Sequence, residues 1–536
     1  SSMMQTMLEQ ARMGETYYET MQSISYAALI GARGNSGIIF AQYICGMTVG
    51  FKDVVELSAE QFSNILKKAV EFAYDAISTP VEGTMITLMQ AWYKAVDHLK
   101  TMTKNLTDLI GESIDHLKKE LDQTPLKLPV LKEHNVVDAG AKGFYHFVLG
   151  ILSSLRHPNQ KQVFEKKVDL DLYPHEHVSE KPEANRFCTE AYLKGSNLDI
   201  KNIKKALQPM GDSMVVAGYE QAVRVHIHTD IPEQVFEILD QYGKVTEQKV
   251  DDMLKQYQAA HERKYDIALV TDSIADISND LMDHYQIFQY PVSLIINDTQ
   301  YFDKLTIKNE RFYHMMDHYQ TYPSTSQPNQ KMVENFLSFL TTYYDQVIIM
   351  NVSSKMSGTH NVFLKAVETI KDKKIAVIDT MQNSGAEGLL VYEAAKMIDK
   401  GYPFEQIVEE IEQLKTRVKI LVTVPTLKYM VRSGRLSKIG GAIGKVINLK
   451  PVISINDQGE GIIFVKALSQ EKSYEKIISH IKEVHEKEGI ETYNIVHANA
   501  FDWLERFKKD LAEILSFEPI YITEISTAIA LNAGIG

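Results

Sequence analysis

Three short segments of this chain combine residue types that could hold a phosphate. They are Gly31-Ala32-Arg33-Gly34-Asn35-Ser36-Gly37, Pro80-Val81-Glu82-Gly83-Thr84 and Asp138-Ala139-Gly140-Ala141-Lys142-Gly143. Each precedes a long apolar stretch, so each would set several backbone N–H groups at a helix N-terminus, where an anion is favoured. Gly31, Gly34, Ser36 and Gly37 would bring N–H and hydroxyl donors to phosphate oxygens, and phosphoryl transfer depends mainly on such positioning and charge neutralisation. The alternative is helix capping and close helix packing, which Gly and Ser supply widely. A second constellation is Cys188 with His226 and His228. His-x-His on a strand points both imidazoles to one face, and a thiolate from a neighbouring strand could complete a zinc site with water or a fourth ligand. The alternative is a buried thiol beside two strand histidines. A third set, Thr325, Ser326 and Ser357, offers hydroxyl and N–H donors expected at loop-to-helix junctions, a setting suited to a carboxylate. Arg435 could add a charge-assisted contact. Ordinary N-capping is the competing account of the Ser and Thr residues.

The elements that position these residues fall into three stretches. Residues 1–155 read as helices. In 60–77, Phe62, Ile65, Leu66, Ala69, Val70, Ala73 and Ile77 keep the i, i+3, i+4 spacing of one buried face, and 86–100 and 106–121 look similar. Residues 156–184 are charged, contain three prolines and read as a linker. From 185 to 262 a small α+β unit is expected, with strands at Val215–Gly218 and Ala222–Thr229 and helices at Pro232–Tyr242 and Lys249–Tyr257. From 264 to 536 strands alternate with helices. Ile267–Val270, Val347–Met350, Ile375–Ile378 and Leu421–Val424 read as buried strands of a sheet covered on both faces. Their C-terminal ends carry hydroxyls and carboxylates, where open α/β sheets bind ligands. Two alternating runs around Asp457-Gln458-Gly459 read as an antiparallel hairpin.

Composition bounds the partners. The chain has 536 residues, 57 Lys+Arg against 70 Asp+Glu and a formal net charge of −13, which disfavours nucleic acid as the main partner. Two cysteines cannot build a disulfide framework, so a reducing cytoplasm is the expected home. No apolar run approaches the ~20 residues needed to span a bilayer, and no N-terminal signal peptide is visible. Dealings with lipid would therefore go through a pocket or a surface.

In order and spacing, GARGNSG (31–37), PVEGTM (80–85) and NVVDAGAKGF (135–144) resemble the nucleotide-binding domain shared by dihydroxyacetone kinase L-type subunits and the ATP-binding subunit of bacterial fatty acid kinase. The resemblance implies an all-α barrel closing over ATP and magnesium, with Gly31, Gly34, Asn35, Ser36, Gly37, Thr84, Met85, Asp138 and Gly140 at the nucleotide. Phe187-Cys188-Thr189-Glu190, Gly211-Asp212-Ser213 and Val225-His226-Ile227-His228-Thr229 are similar to that subunit's central domain, which implies a zinc on Cys188, His226 and His228. From Ile267 onward the chain resembles the DegV family of fatty-acid-binding proteins, through Thr271-Asp272-Ser273, Thr325-Ser326-Gln327-Pro328, Ser353-Ser354, Ser357-Gly358-Thr359 and Ser433-Gly434-Arg435. This implies a lipid carboxylate held by Thr325, Ser326, Ser357, Gly358, Thr359, Arg435 and Asn532.

The expectation is a multidomain protein: an all-α nucleotide-binding domain, a small α+β domain and a DegV-like α/β domain. It would phosphorylate, at the expense of ATP, a long-chain fatty acid carboxylate held by the last domain. A second copy of the chain and an acyltransferase that accepts the acyl group are further expected partners. Two departures qualify this. The family's Asp-Gly-Asp type magnesium segment does not occur here, so either the chain is a fragment or its kinase lacks those ligands. Asn532 also stands where DegV proteins carry a His, and it can hydrogen-bond a head group without carrying charge. No catalytic residue is assigned. The rival reading is a non-catalytic fatty-acid carrier with a degenerate kinase domain. A third is a polyol kinase, against which the DegV-like part argues.

Overall fold

The computed structural model describes residues 2–103, 105–133, 136–157, 181–182, 184–316, 318, 321–434 and 449–536. Most of the expected linker, and Arg435, lie outside these residues. The chain divides into two compact units. The first holds the described residues up to 157 together with 184–251, and the second holds 181–182 and the described residues from Asp252 onward.

The N-terminal part of the first unit is all helical: α1 (Ser2–Gln10), α2 (Tyr17–Gly31), α3 (Gly34–Gly50), α4 (Ala59–Ala76), α5 (Met85–Leu99), α6 (Leu106–Lys127), α7 (Pro129–Glu133) and α8 (Ala139–Arg156). A reciprocal Ser58/Gln61 capping box starts α4, and its apolar stripe is buried along the expected face. Helices α3 and α4 approach closely because Gly46 has no side chain: a Cβ there would lie 2.7 Å from Ala69 Cα. Trp92 of α5 is fully buried and donates its Nε1–H to Ser113 Oγ of α6 at 2.9 Å. The indole thus keeps its one donor satisfied while packing edge-on against Phe62 and Phe144.

The rest of this unit is a four-stranded sheet in the order β2-β3-β1-β4, built from β1 (Phe187–Lys194), β2 (Asp212–Tyr219), β3 (Ala222–Thr229) and β4 (Lys244–Asp252), with helices α9 (Ile200–Leu207) and α10 (Pro232–Asp240). Strand alternation sorts its two faces. Leu193, Val216, Val223, Val225 and Ile227 pack with Ile203, Val235 and Phe236 of the two helices. Tyr192, Val215, Ala217 and Ala222 join the core of α2–α8 instead, and Gly218 N–H donates to the buried Gln42 Oε1 of α3 at 2.7 Å. The expected helix at Lys249–Tyr257 is corrected. Residues to Asp252 belong to β4, and the helix runs Met253–His261, because the Asp252 side chain caps it by accepting from Lys255 N–H.

The second unit is built on a parallel sheet, β11-β10-β5-β6, from β5 (Ile267–Asp272), β6 (Phe288–Tyr290), β10 (Gln346–Asn351) and β11 (Lys374–Asp379). Val347, Ile348, Ile349 and Met350 of β10 are all fully buried, on alternate faces of the sheet. β7 (Ser293–Ile296), β8 (Thr299–Phe302) and β9 (Ser324–Ser326) form a smaller antiparallel sheet. A third contains β12 (Val422–Thr423), β13 (Val452–Ile455) and β14 (Gly461–Val465), the last two being the expected hairpin. A parallel pair completes the set, β15 (Ile495–His497) and β16 (Ile522–Glu524). Leu421–Val424 is therefore corrected: only two of its residues form a strand, and they pair antiparallel with β13 outside the parallel sheet. A four-residue apolar run carries no signal of which sheet it joins.

Candidate functional site

The three glycine-rich segments end as the sequence implies, at the first turns of α3, α5 and α8. Gly34 opens α3 with φ +63°, a conformation that costs little only to glycine, and this turns its N–H out of the helix. Neither Arg33, before α3, nor Thr84, before α5, caps its helix with a side chain; instead the first N–H of each helix meets a carboxylate from elsewhere, Gly34 that of Glu190 at 3.0 Å and Met85 that of Asp138. Asp138 caps α8, its Oδ2 accepting from Ala141 N–H at 2.6 Å. The three turns meet at Gly140, where a Cβ would lie 2.9 Å from Ser36 Oγ, 3.2 Å from Asp138 Oδ2 and 3.4 Å from Met85 Cβ. Burial pushes the Asp138 carboxyl up, opposed by the N–H groups of Ala141, Gly140 and Met85. Ser36 is exposed and Asn35 carries a buried Oδ1 with no partner. Gly31 stands apart in role: it closes α2, where a Cβ would come within 2.5 Å of Thr6 Oγ1 of α1. Gly37 meets only Ala32, at 3.7 Å, and Thr84 spends its hydroxyl on Val81 O at 2.8 Å. The donors suit phosphate oxygens. Among the described residues no set of three metal-ligating side chains gathers at these turns, so they present no protein cage for magnesium.

The sheet brings Cys188, His226 and His228 together, with one ligand atom of each within 4.8 Å of the others. β1 and β3 pair so that Cys188 faces His228 and Glu190 faces His226. All four side chains therefore share one sheet face. Glu190 Oε1 lies 3.7 Å from His226 Nδ1, and Asp212 Oδ1 lies 3.6 Å from His228 Nδ1. Each ring thus has a carboxylate near one nitrogen, just outside hydrogen-bond distance, close to the arrangement that orients a metal-ligating imidazole, and the buried His226 Nε2 has no hydrogen-bond partner. Burial, with His226 beside it, pushes His228 down to about 4, leaving a neutral ring with a lone pair for a metal. Two histidines, a thiolate and an open position fit zinc.

The second unit encloses a cavity of about 1900 Å³. Thr325, Ser326, Ser357, Gly358 and Asn532 line it, while Thr359 is buried and bonds Ser357 Oγ through its own hydroxyl at 2.9 Å. Thr325 and Ser326 lie on strand β9 rather than at a helix start, which corrects the expected setting. They neighbour the 357–358 turn, since a Cβ on Gly358 would overlap the Gln327 amide. Asn532 donates to Ala528 O at 2.9 Å and keeps a buried Oδ1 without a partner. Much of the remaining wall is apolar, including Ile477, Ile481, Val484, Trp503 and Phe507. Asp272 and Ser273, at the end of β5, are instead satisfied inside the protein, while Ser354, after β10, lines the cavity. Asp272 accepts from Ile274 and Val352 N–H, both at 3.0 Å, Ser273 Oγ donates to Asp303 at 2.7 Å, and Ser384 Oγ donates to Asp276 at 2.6 Å.

Comparison with known proteins follows this division. Residues 266–536 match the DegV family, described as uncharacterised proteins. Residues 1–153 match the DAK2 domain, and 184–260 match the FakA-like middle domain of fatty acid kinase. The chain belongs to the DegV family through its C-terminal half, and carries that domain behind a DAK2 domain and a FakA-like middle domain. A DegV domain-containing protein of Clostridium acetobutylicum is 30% identical over 271 residues, covering 50% of this chain and 96% of that protein. An uncharacterized protein of Staphylococcus saprophyticus is 32% identical over 257 residues, 46% of this chain and 47% of its own length; the chain spans about half of such relatives. Among solved structures, the fatty acid binding protein DegV of Bacillus subtilis is 25% identical with a TM-score of 0.47, covering 51% of this chain and 97% of that one. A DegV family protein from Thermus thermophilus, described by its fatty acid binding, is 25% identical with a TM-score of 0.46, covering 50% and 96%.

Sequence reading missed Glu190, Arg224 and His497. Glu190 was within reach, two residues after Cys188 and so on the same strand face. His497 lines the cavity with its Nδ1 buried and unpartnered, but nothing in its sequence neighbourhood distinguishes it.

Proposed function

We propose that this chain uses ATP to phosphorylate the carboxylate of a long-chain fatty acid held in the cavity of its DegV domain. The observation that carries the kinase part is the meeting of the α3, α5 and α8 turns at Ser36, Met85, Asp138 and Gly140, with no side-chain N-cap from the residue before α3 or α5. The fatty acid part draws on the large cavity with hydroxyl and amide donors and apolar walls, and on the match of residues 184–260 to a domain of fatty acid kinase. In the reaction a carboxylate oxygen forms a bond to the γ-phosphorus, the bond to the β–γ bridging oxygen breaks, and ADP leaves with that electron pair. The helix dipoles and first-turn donors at α3 and α5 stabilise phosphate charge as it redistributes. Magnesium enters with the nucleotide as substrate. Zinc, held by Cys188, His226 and His228, would fix the middle sheet as a structural ion. Covalent tethering of acyl carrier to kinase raises the effective substrate concentration without any further contact.

The test is formation of acyl phosphate from ATP, magnesium and a long-chain fatty acid, trapped with hydroxylamine and read as the hydroxamate by mass spectrometry. Hydroxamate formation that depends on ATP supports the kinase. The cavity with its hydroxyl and amide donors by itself also suits a second reading, a fatty-acid carrier with a degenerate kinase domain. Under that reading the protein carries extractable fatty acid and yields no hydroxamate.

A further inference from the structure

Three charged side chains of the middle sheet reach the segment that leads into α3. Arg224 of β3, only 2% exposed, donates from Nη2 to Ile30 O at 2.7 Å. Glu247 of β4 bonds that same guanidinium at 3.1 and 3.2 Å and lies 3.5 Å from Arg33 Nη2. Glu190 of β1, only 3% exposed, accepts from Gly34 N–H at 3.0 Å. The first two contacts hold the chain before the turn. The third holds the N–H of the residue whose positive φ sets the direction of the turn.

Glu190 has a second neighbour. The oxygen that takes the Gly34 N–H is also 3.7 Å from His226 Nδ1, and Cys188 Sγ lies 3.9 Å from the same nitrogen. One buried carboxylate therefore touches the phosphate-facing turn on one side and the Cys/His cluster on the other. It has no water shell to absorb a change at either partner, and its other oxygen is buried without a hydrogen bond. A metal on the cluster fixes the position of the His226 ring, the neighbour that Glu190 Oε1 meets besides Gly34 N–H. Without the metal the ring is held by fewer bonds, and its hold on Glu190 is looser.

We propose that Glu190 is a positioning residue that couples zinc occupancy of the Cys188, His226 and His228 cluster to the geometry of the Gly34–Gly37 turn. The proposal rests on the reading of that turn as phosphate donors and of the cluster as a zinc site. It makes a sheet that touches no nucleotide a regulator of how well the nucleotide is held. Because coupling between sites is reciprocal, ATP must raise zinc affinity by the factor by which zinc raises ATP affinity.

The experiment uses the full chain, stripped of metal by a chelator or loaded with zinc. ATP binding with magnesium is measured by calorimetry, zinc binding by competition with a chromophoric chelator, and hydrogen exchange is followed in the peptide containing Gly34–Gly37. Zinc is expected to tighten ATP binding at least about five-fold and to slow exchange in that peptide, with ATP raising zinc affinity by the same factor. Glu190→Gln should weaken zinc about 10- to 100-fold and, once zinc is saturating, abolish both effects on the turn. Glu190→Asp, whose shorter side chain cannot span Gly34 N–H and His226 together, should do the same if the Gln variant does not fold. Coupling of wild-type size in either variant overturns the proposal. So does a wild type that binds both ligands with no mutual effect, and that result leaves the site assignments intact. A wild type that takes up neither zinc nor ATP overturns the assignments themselves, and the coupling with them.

Discussion

Glu387→Gln should stabilise the C-terminal unit at alkaline pH and do little at acid pH. Glu387 is 0% exposed, on the helix Ser384–Asp399, and neither carboxylate oxygen has a hydrogen-bond partner. Burial pushes its carboxyl well up, Asp272 and Asp276 push it further, and Lys304 opposes them. Around it, burial also raises Asp272 and Asp303 to about 6. A carboxyl whose folded pKa is raised binds its proton more tightly in the folded state. Its stabilising share is full below the unfolded pKa, near 4, and is lost as pH rises through the folded pKa. The rise of Asp272 from 3.8 to about 6 corresponds to roughly 3 kcal/mol lost by neutral pH. Gln at 387 removes a buried carboxyl whose proton the fold must keep as pH rises, and supplies two N–H donors where acceptors are in surplus. The expected gain is about 1–3 kcal/mol near pH 8, falling toward zero near pH 4. Urea unfolding at several pH values, read by hydrogen exchange in the β10 peptide, measures it for this unit alone. An equal gain at both pH extremes would refute the electrostatic account, and a loss at pH 8 would show that Glu387 has a partner it needs.

Three further outcomes are expected. Purified protein should hold about one zinc per chain by elemental analysis, and Cys188→Ser should lower that occupancy at least ten-fold. Ser357→Ala removes one hydroxyl from the cavity lining and should weaken binding of a long-chain fatty acid about five-fold, equivalent to one ordinary hydrogen bond, in a fluorescence displacement assay. Gly34→Ala forces a side chain onto a left-handed backbone and should cost the first unit about 1–2 kcal/mol in thermal or urea unfolding, with ATP binding weakened as well because the start of α3 shifts.

What was legible in the sequence follows from how local each signal is. The apolar stripe of α4 and the glycine-rich starts of α3, α5 and α8 are encoded within a few residues, so helices and phosphate-type turns could be read directly. The Cys188, His226 and His228 set was legible because alternation on a strand is equally local. Glu190 could be placed on that same strand face, but its role could not be read, because it depends on the pairing of β1 with β3 and on Gly34, 156 residues away. The misread stretches share one cause. Lys249–Tyr257 mixes a strand end with a helix start, and only the Asp252 cap separates them. Leu421–Val424 has the composition of a buried strand, and its antiparallel partner is fixed by a distant hairpin.

The polar residues of the C-terminal unit show why residue type alone could not choose between scaffold and ligand site. Asp272, Ser273, Asp276 and Asp303 lie near the ends of the parallel strands, where a ligand is expected, yet each is fully buried and bonded to backbone or to another of the group. A carboxylate in that state cannot turn toward a fatty acid head group without leaving its donors unpaired, at about 1–3 kcal/mol for each buried group. Negative charge there would also repel the incoming carboxylate. Thr325, Ser326, Ser357 and Asn532 are neutral, border open space and include an oxygen with no partner. An amide and hydroxyls can accept or donate as the head group requires, so the same cavity can hold the anion before phosphoryl transfer and the more highly charged acyl phosphate after it. Electrostatics thus assigns the acidic layer to holding the loops in place and the neutral layer to the ligand.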